Sequence, residues 1–275
     1  MLEAILEYQF LRYAIIASFL VSIISGLIGV IIVEKKLVMM TGGIAHTSYG
    51  GVGLGYLLGF EPIIGAFIFS ILAALGIGII NNRTTGHKDV MIAMFWSLGM
   101  SLGILFISFM PGYPPDVTSY LFGNILSVTT LNLVMMLSIT VIVAIIIIAY
   151  YHDWKAHLFD PEFMKIKGRK TKTMENILMI LIALSVVVLI RVVGIILVIA
   201  MLSIPAATAS LISRRFHIRM ILAIGFGLLF TLLGLVISYL TGYPSGAVIV
   251  VFAFIVYLSV YLIQKRIFFK NKVLQ

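Results

Sequence analysis

The sequence predicts an all-α, polytopic helical membrane protein with about nine transmembrane helices. Uncharged apolar runs of roughly twenty residues recur along its 275 residues, each long enough to cross about 30 Å of hydrocarbon as a helix. Hydrophobic residues make up 62% and charged residues only 11%, so no stretch is polar and long enough to bury a soluble core of its own. Of the 19 lysines and arginines, 17 fall in alternate connections between the runs. That asymmetry fixes an orientation.

Residues 1–12 carry Glu3 and Glu7 where a secretory signal would be positive, so they do not read as a signal peptide. Leu2, Ile5, Leu6 and Phe10 fit one helical face, which predicts an interfacial helix leading into the first span. The spans run over 13–33, 37–60, 62–80, 90–110, 133–151, 177–190, 192–213, 220–241 and 244–263. The sixth is short, which leaves eight spans as the alternative. Arg191 between the sixth and seventh predicts a tight external turn, its guanidinium reaching the headgroups. Segment 111–132, with Pro111, Pro114 and Pro115, lies outside and is apolar enough to dip back as a short re-entrant or surface helix.

Nine spans place the termini on opposite sides. Segments 34–36, 81–89, 152–176, 214–219 and 264–275 then share the basic-rich face, leaving Arg12 and Arg191 opposite. The positive-inside rule makes that face cytoplasmic, with the N-terminus outside and the C-terminus inside. The net charge of +9 therefore belongs to loops and anionic headgroups, not to nucleic acid. Residues 1–275 read as one transmembrane domain with a single sizeable cytoplasmic loop, 152–176.

Several chemistries are excluded. There is no cysteine, hence no disulfide, thiolate metal site or cysteine nucleophile. No GxxxxGK[ST] phosphate loop is present, and no HExxH. An intramembrane enzyme finds no nucleophile–base pair at a shared depth. Acidic residues lie at span ends or in loops, which removes the buried carboxylate relay of proton-coupled pumps and weakens a secondary transporter or channel.

The second span, MTGGIAHTSYGGVGLGYLLG from Met40 to Gly59, is the least lipid-like. Gly51, Gly55 and Gly59 recur every four residues, as do Gly42, His46 and Gly50. Such spacing lets neighbouring backbones approach, so this helix belongs inside a bundle. His46 is the only histidine within a span; His87, His152, His157 and His217 lie in loops. With glycines one turn above and below, its imidazole has space beside it. It reads either as a transient ligand for a borderline metal such as zinc or manganese, or as a neutral histidine bonded to a neighbouring helix. In the seventh span Pro205 lies among Ser203, Ala206, Ala207, Thr208, Ala209 and Ser210, which predicts a kink serving as hinge or cavity wall, or else close packing of small residues.

In the loop, Asp160 suits an N-cap, Pro161 the first helical position and Gly168 a terminator. Phe159 and Met164 can form a hydrophobic staple. The result is a short helix with Glu162, and with Phe163, Met164 and Ile166 as an apolar face in water. It serves either to dock a partner or to lie on the membrane surface with Lys165 and Lys167.

Five segments in order resemble the permease subunits of ATP-binding-cassette importers for zinc, manganese and iron, the ABC-3 family. They are MLEAILEYQFLRYAIIA at the start, GGIAHTSYGGVGLGYLLG, YLFGNIL at Tyr120–Leu126, FDPEFMKIKG at Phe159–Gly168, and VGIILVIAMLSIPAATA with SYLTGYPSGAVIVV near the end. The resemblance implies a multi-pass inner-membrane permease that imports a divalent metal as a homodimer. It also implies separate cytoplasmic ATPases, an extracytoplasmic metal-binding protein and no permanently bound cofactor. His46 would touch the ion, Gly42, Gly50 and Pro205 would shape the path, and Asp160, Pro161, Glu162, Phe163 and Gly168 would couple to the ATPase. Many members carry an aspartate four residues before the histidine; here that position is Gly42. The related alternative is an importer of a metal chelate, such as a siderophore or cobalamin.

Overall fold

The computed structural model describes residues 7–83, 88–111, 123, 125–166, 168 and 171–273. Among them every regular element is a helix: α1 (Gln9–Glu34), α2 (Val38–Leu58), α3 (Pro62–Arg83), α4 (Lys88–Ser108), a 3-10 turn (Ile125–Ser127), α5 (Thr130–Ala149), α6 (Tyr151–Phe159), α7 (Pro161–Ile166), α8 (Thr171–Ile212), α9 (Phe216–Thr241) and α10 (Ser245–Val273). Residues 1–6 of the expected interfacial helix lie outside the described residues, while Gln9–Arg12 form the first turn of α1. Most of the expected external segment, 112–122 and 124, also lies outside them. Its described end leads into α5, where the Thr129 hydroxyl caps the helix by accepting from the Asn132 N–H at 3.3 Å.

Among the described residues, seven helices are long and apolar enough to cross a membrane. α2 is not among them, because glycine lowers its hydropathy, although its 21 residues reach about 32 Å. α8 has 42 residues and, if straight, would measure about 63 Å, twice the hydrocarbon thickness. It folds back instead. Gly194 leaves the helical region at φ 77° and ψ 164°, a conformation open to glycine alone without strain. Both ends of α8 return to one face. The Glu175 carboxylate acts on the Lys35 ammonium, and the Ser213 carbonyl accepts from Arg219 Nε at 2.7 Å. Arg219 in turn pairs with Glu34, next to Lys35. Thus α8 is a hairpin of two membrane-length limbs, and its turn falls at Gly194, three residues beyond the expected site at Arg191.

The opposite face is marked by the Tyr13 and Thr130 hydroxyls, 3.0 Å apart. The α8 turn lies there too, since a Cβ at Gly123 would come within 2.1 Å of Val193. The residues around Glu34, Glu175 and Ser213 thus share one face and the Gly194 turn lies at the other, the grouping that the charge pattern expects. α1 and α8 are the most buried spans and form the centre; α4 and α10 lie at the periphery. Lipid tails are as apolar as leucine, so this arrangement rests on close packing more than on hydrophobic transfer.

Backbone dihedrals stay helical through Pro205, and the break in α8 comes at Gly194. The hydroxyls of Ser203 and Thr208 fold back onto carbonyls of their own helix, Ile199 at 2.6 Å and Ile204 at 2.7 Å. α10 continues past residue 263 to Val273, so Lys265 and Arg266 extend the helix beyond the expected span.

Candidate functional site

The packing of α2 sets the site. At Gly51 a Cβ would come within 2.0 Å of the Gly65 carbonyl oxygen on α3, so the two backbones touch only because both positions are glycine. On the other flank a Cβ at Gly99 would meet the Thr47 α-carbon at 2.3 Å, which brings α4 equally close. The Thr47 hydroxyl lies 2.7 Å from the Gly43 carbonyl and 3.0 Å from that of Phe95 on α4. This polar tie fixes the register of the two helices.

His46 is the ninth residue of α2, about 12 Å along the helix and near the middle of the span. The side chain is half-buried. Its Nδ1 is buried with no hydrogen-bond partner. One imidazole face stacks on Trp96 of α4, with centroids 4.0 Å apart and ring planes 17° from parallel. His46 is thus seated on an indole. Gly42, one turn before it, is buried; a Cβ there would come 3.0 Å from Trp96 Cζ3 and 3.5 Å from Ile199 Cδ1. Gly50, one turn after, packs where three helices meet, its Cβ position 3.0 Å from the Gly99 carbonyl and 3.2 Å from the Phe69 ring. Pro205 is buried elsewhere, in the limb of α8 whose Leu202 carbonyl and Ala206 methyl pack on Gly29 of α1.

Among the described residues, no three His, Cys, Asp or Glu side chains gather into a metal cage. One imidazole at mid-depth offers a single borderline donor, which suits an ion in passage better than a resident one. The outward face of α4 beside it carries Ala93, Ser97 and Ser101, all exposed. An apolar groove of about 410 Å³ along α9 and α10, lined by Ile237, Tyr243, Val251 and Phe252 among others, has no imidazole or carboxylate.

The loop residues form a separate group. Asp160 precedes α7 and its carbonyl accepts from the Met164 N–H at 3.3 Å. Gly168 follows at φ +67°, the left-handed conformation that ends helices. The expected apolar face is altered. Met164 is 1% exposed and turns inward, because the short helix seats one side on the bundle. Glu162 and Ile166, four residues apart, face water instead, Ile166 at 83% exposure. The side chains of Pro161 and Phe163 lie outside the described residues. Phe159 packs edge-on to Phe216 of α9, with centroids 6.0 Å apart. It also lines a groove of about 380 Å³ with His152, Asp153, Lys155, Asp160 and Met164.

Sequence reasoning missed α6 and Trp96. α6 buries Trp154 completely, its indole Nε1 donating to the Ile146 carbonyl at 3.4 Å, and leaves His157 only 4% exposed. Neither His157 nitrogen has a hydrogen-bond partner, and burial first, then the Lys35 charge, lowers its pKa to about 4. A signal for Trp96 did exist: tryptophan favours membrane interfaces, yet this one, of only two in the chain, falls mid-span.

A helical bundle of membrane-length segments, with an accessible imidazole at mid-depth and a capped helical loop at one face, defines a membrane transport permease of the cell membrane. The chain belongs to the ABC 3 transport family, whose model matches residues 7–264. It is 41% identical to an uncharacterised membrane protein of Synechocystis sp., over 94% of this chain and 93% of that relative. It is 36% identical to the manganese transport system membrane protein MntC of Listeria monocytogenes, over 96% and 94%. Among solved structures it resembles PsaBC from Streptococcus pneumoniae in complex with Fab, with a TM-score of 0.86, 30% identity and 94% of both chains covered.

Proposed function

We propose that this chain is the membrane permease of an ATP-binding-cassette importer that carries manganese into the cytoplasm. The whole chain forms one permease domain. Two copies enclose the path, a separate ATPase supplies the energy, and an extracytoplasmic binding protein delivers the ion. The N-terminus lies outside and the C-terminus inside, in line with the basic-rich face. The observation that carries this reading is His46, a half-buried imidazole at mid-depth in a family whose relatives include manganese permeases.

The chemistry follows from the residues. A neutral imidazole can donate a lone pair to a cation. With one protein ligand the ion keeps most of its water, so it can leave as readily as it arrives. Half-exposure gives it a route to the ring. Asp160, Glu162 and Ile166 present the face that meets the ATPase, while inward Met164 ties the loop to the bundle and transmits movement to it. Pro161 and Phe163 belong to the same short docking helix.

The test is uptake of radioactive manganese by the assembled transporter carrying His46→Ala. The expected result is loss of at least about a hundredfold in uptake, with assembly and ATPase docking retained. Normal uptake by the assembled variant would end the reading. Competition by zinc and iron in the same assay ranks the three ions.

A further inference from the structure

Resting on that reading of His46, we infer that Trp96 is the positioning residue that aims the imidazole at the ion. A metal-binding histidine is ordinarily fixed by a hydrogen bond on its second nitrogen, which sets both tautomer and ring plane. His46 lacks that bond, since its buried Nδ1 has no partner. Its terminal torsion is otherwise soft and broad. What restrains the ring is the indole, nearly parallel at 17° and 4.0 Å away. Stacking takes over the task that a carboxylate or carbonyl performs elsewhere.

The indole is itself held from two directions. The Thr47 hydroxyl reaches the carbonyl of Phe95, the residue before Trp96. Gly99, three residues after Trp96, lets α2 come into backbone contact. Gly42 completes the seat. A Cβ there would stand 3.0 Å from Trp96 Cζ3, so the indole would have to give by a few tenths of an ångström to admit one. Gly42, His46 and Trp96 therefore act as one unit, in which a side chain at 42 would press on the stacked indole. Gly42, where many members of the family carry an aspartate, here leaves room for the ring that orients His46.

The experiment is manganese uptake kinetics in the complete transporter with Trp96→Phe, Trp96→Leu and Trp96→Ala. Assembly is checked by co-purification of the ATPase. The expected result is a KM raised about five- to tenfold in Trp96→Leu and Trp96→Ala, with kcat per assembled transporter little changed. Trp96→Phe keeps a flat stacking face and should restore KM to within about twofold. Gly42→Ala should raise KM about threefold in the parent and not at all in Trp96→Phe, which has no Cζ3 to displace. Equal KM values for Trp96→Leu and Trp96→Phe, or a flat series throughout, would overturn the inference, because space-filling alone cannot tell those side chains apart. A flat series beside an inactive His46→Ala condemns the positioning role only. An active His46→Ala condemns the path itself.

Discussion

Among the described residues two histidines sit inside this helical bundle, and their surroundings differ in every respect that matters to an ion. His46 is half-buried, lies mid-span and rests on an aromatic face. His157 is 4% exposed, lies in the loop helix α6, and meets the Lys35 charge on one side and Trp154 edge-on at 6.3 Å. Both have a buried nitrogen without a partner. The first is reachable and the second is sealed beside a cation. On the proposed reading, an unpaired imidazole serves as a transport ligand only when access and a neutral, shaped seat accompany it. His157 is a structural residue whose protonation the fold resists.

The largest effect should come from disturbing the seat. Gly51→Ala would drive a methyl to 2.0 Å from the Gly65 carbonyl oxygen, and the backbones of α2 and α3 must separate. The expected cost is about 3 kcal/mol, seen as a lower thermal midpoint of the purified permease. An unchanged midpoint would mean that α2 is not held by backbone contact, and His46 would lose its fixed place.

The smaller effect concerns His157. In the unfolded chain it binds a proton near pH 6.5, whereas in the folded protein it does so only near pH 4. As pH falls through that window the unfolded state gains protons first, so stability declines between about 6.5 and 4 and levels off below. His157→Leu removes this group and should flatten that part of the profile while leaving neutral-pH stability equal or higher. Thermal melts at pH 7 and pH 5 check it. Parallel declines in parent and variant would return His157 to an ordinary solvated state.

Much of the fold was legible in the sequence, because bilayer thickness dictates run length. The apolar runs located the membrane-length segments, including the two limbs of α8. The turn between them was misplaced because Arg191 is conspicuous, while Gly194 hides in an apolar run and reveals itself only through its dihedral angles. The glycines of α2 announced an interior helix, and α2 does make backbone contacts with α3 and α4. What the residues could not convey was which helix stands opposite His46. Periodicity gives the face of a helix and not its neighbour, so the Trp96 stack stayed hidden. The loop helix was legible through Asp160 and Gly168. The inward turn of Met164 was not, since a six-residue helix has no period long enough to define its buried side.

The central claim is that His46 borders a water-filled passage. The chain contains no cysteine, so a single thiol can report without background. The decisive measurement is labelling of His46→Cys by a charged, membrane-impermeant thiol reagent in the assembled transporter, read by the mass of the permease, with His157→Cys as the sealed reference. The account predicts rapid labelling at 46, protection there by manganese, and little reaction at 157. Labelling at 46 only by lipid-soluble reagents, or none while the transporter still imports manganese, would contradict it.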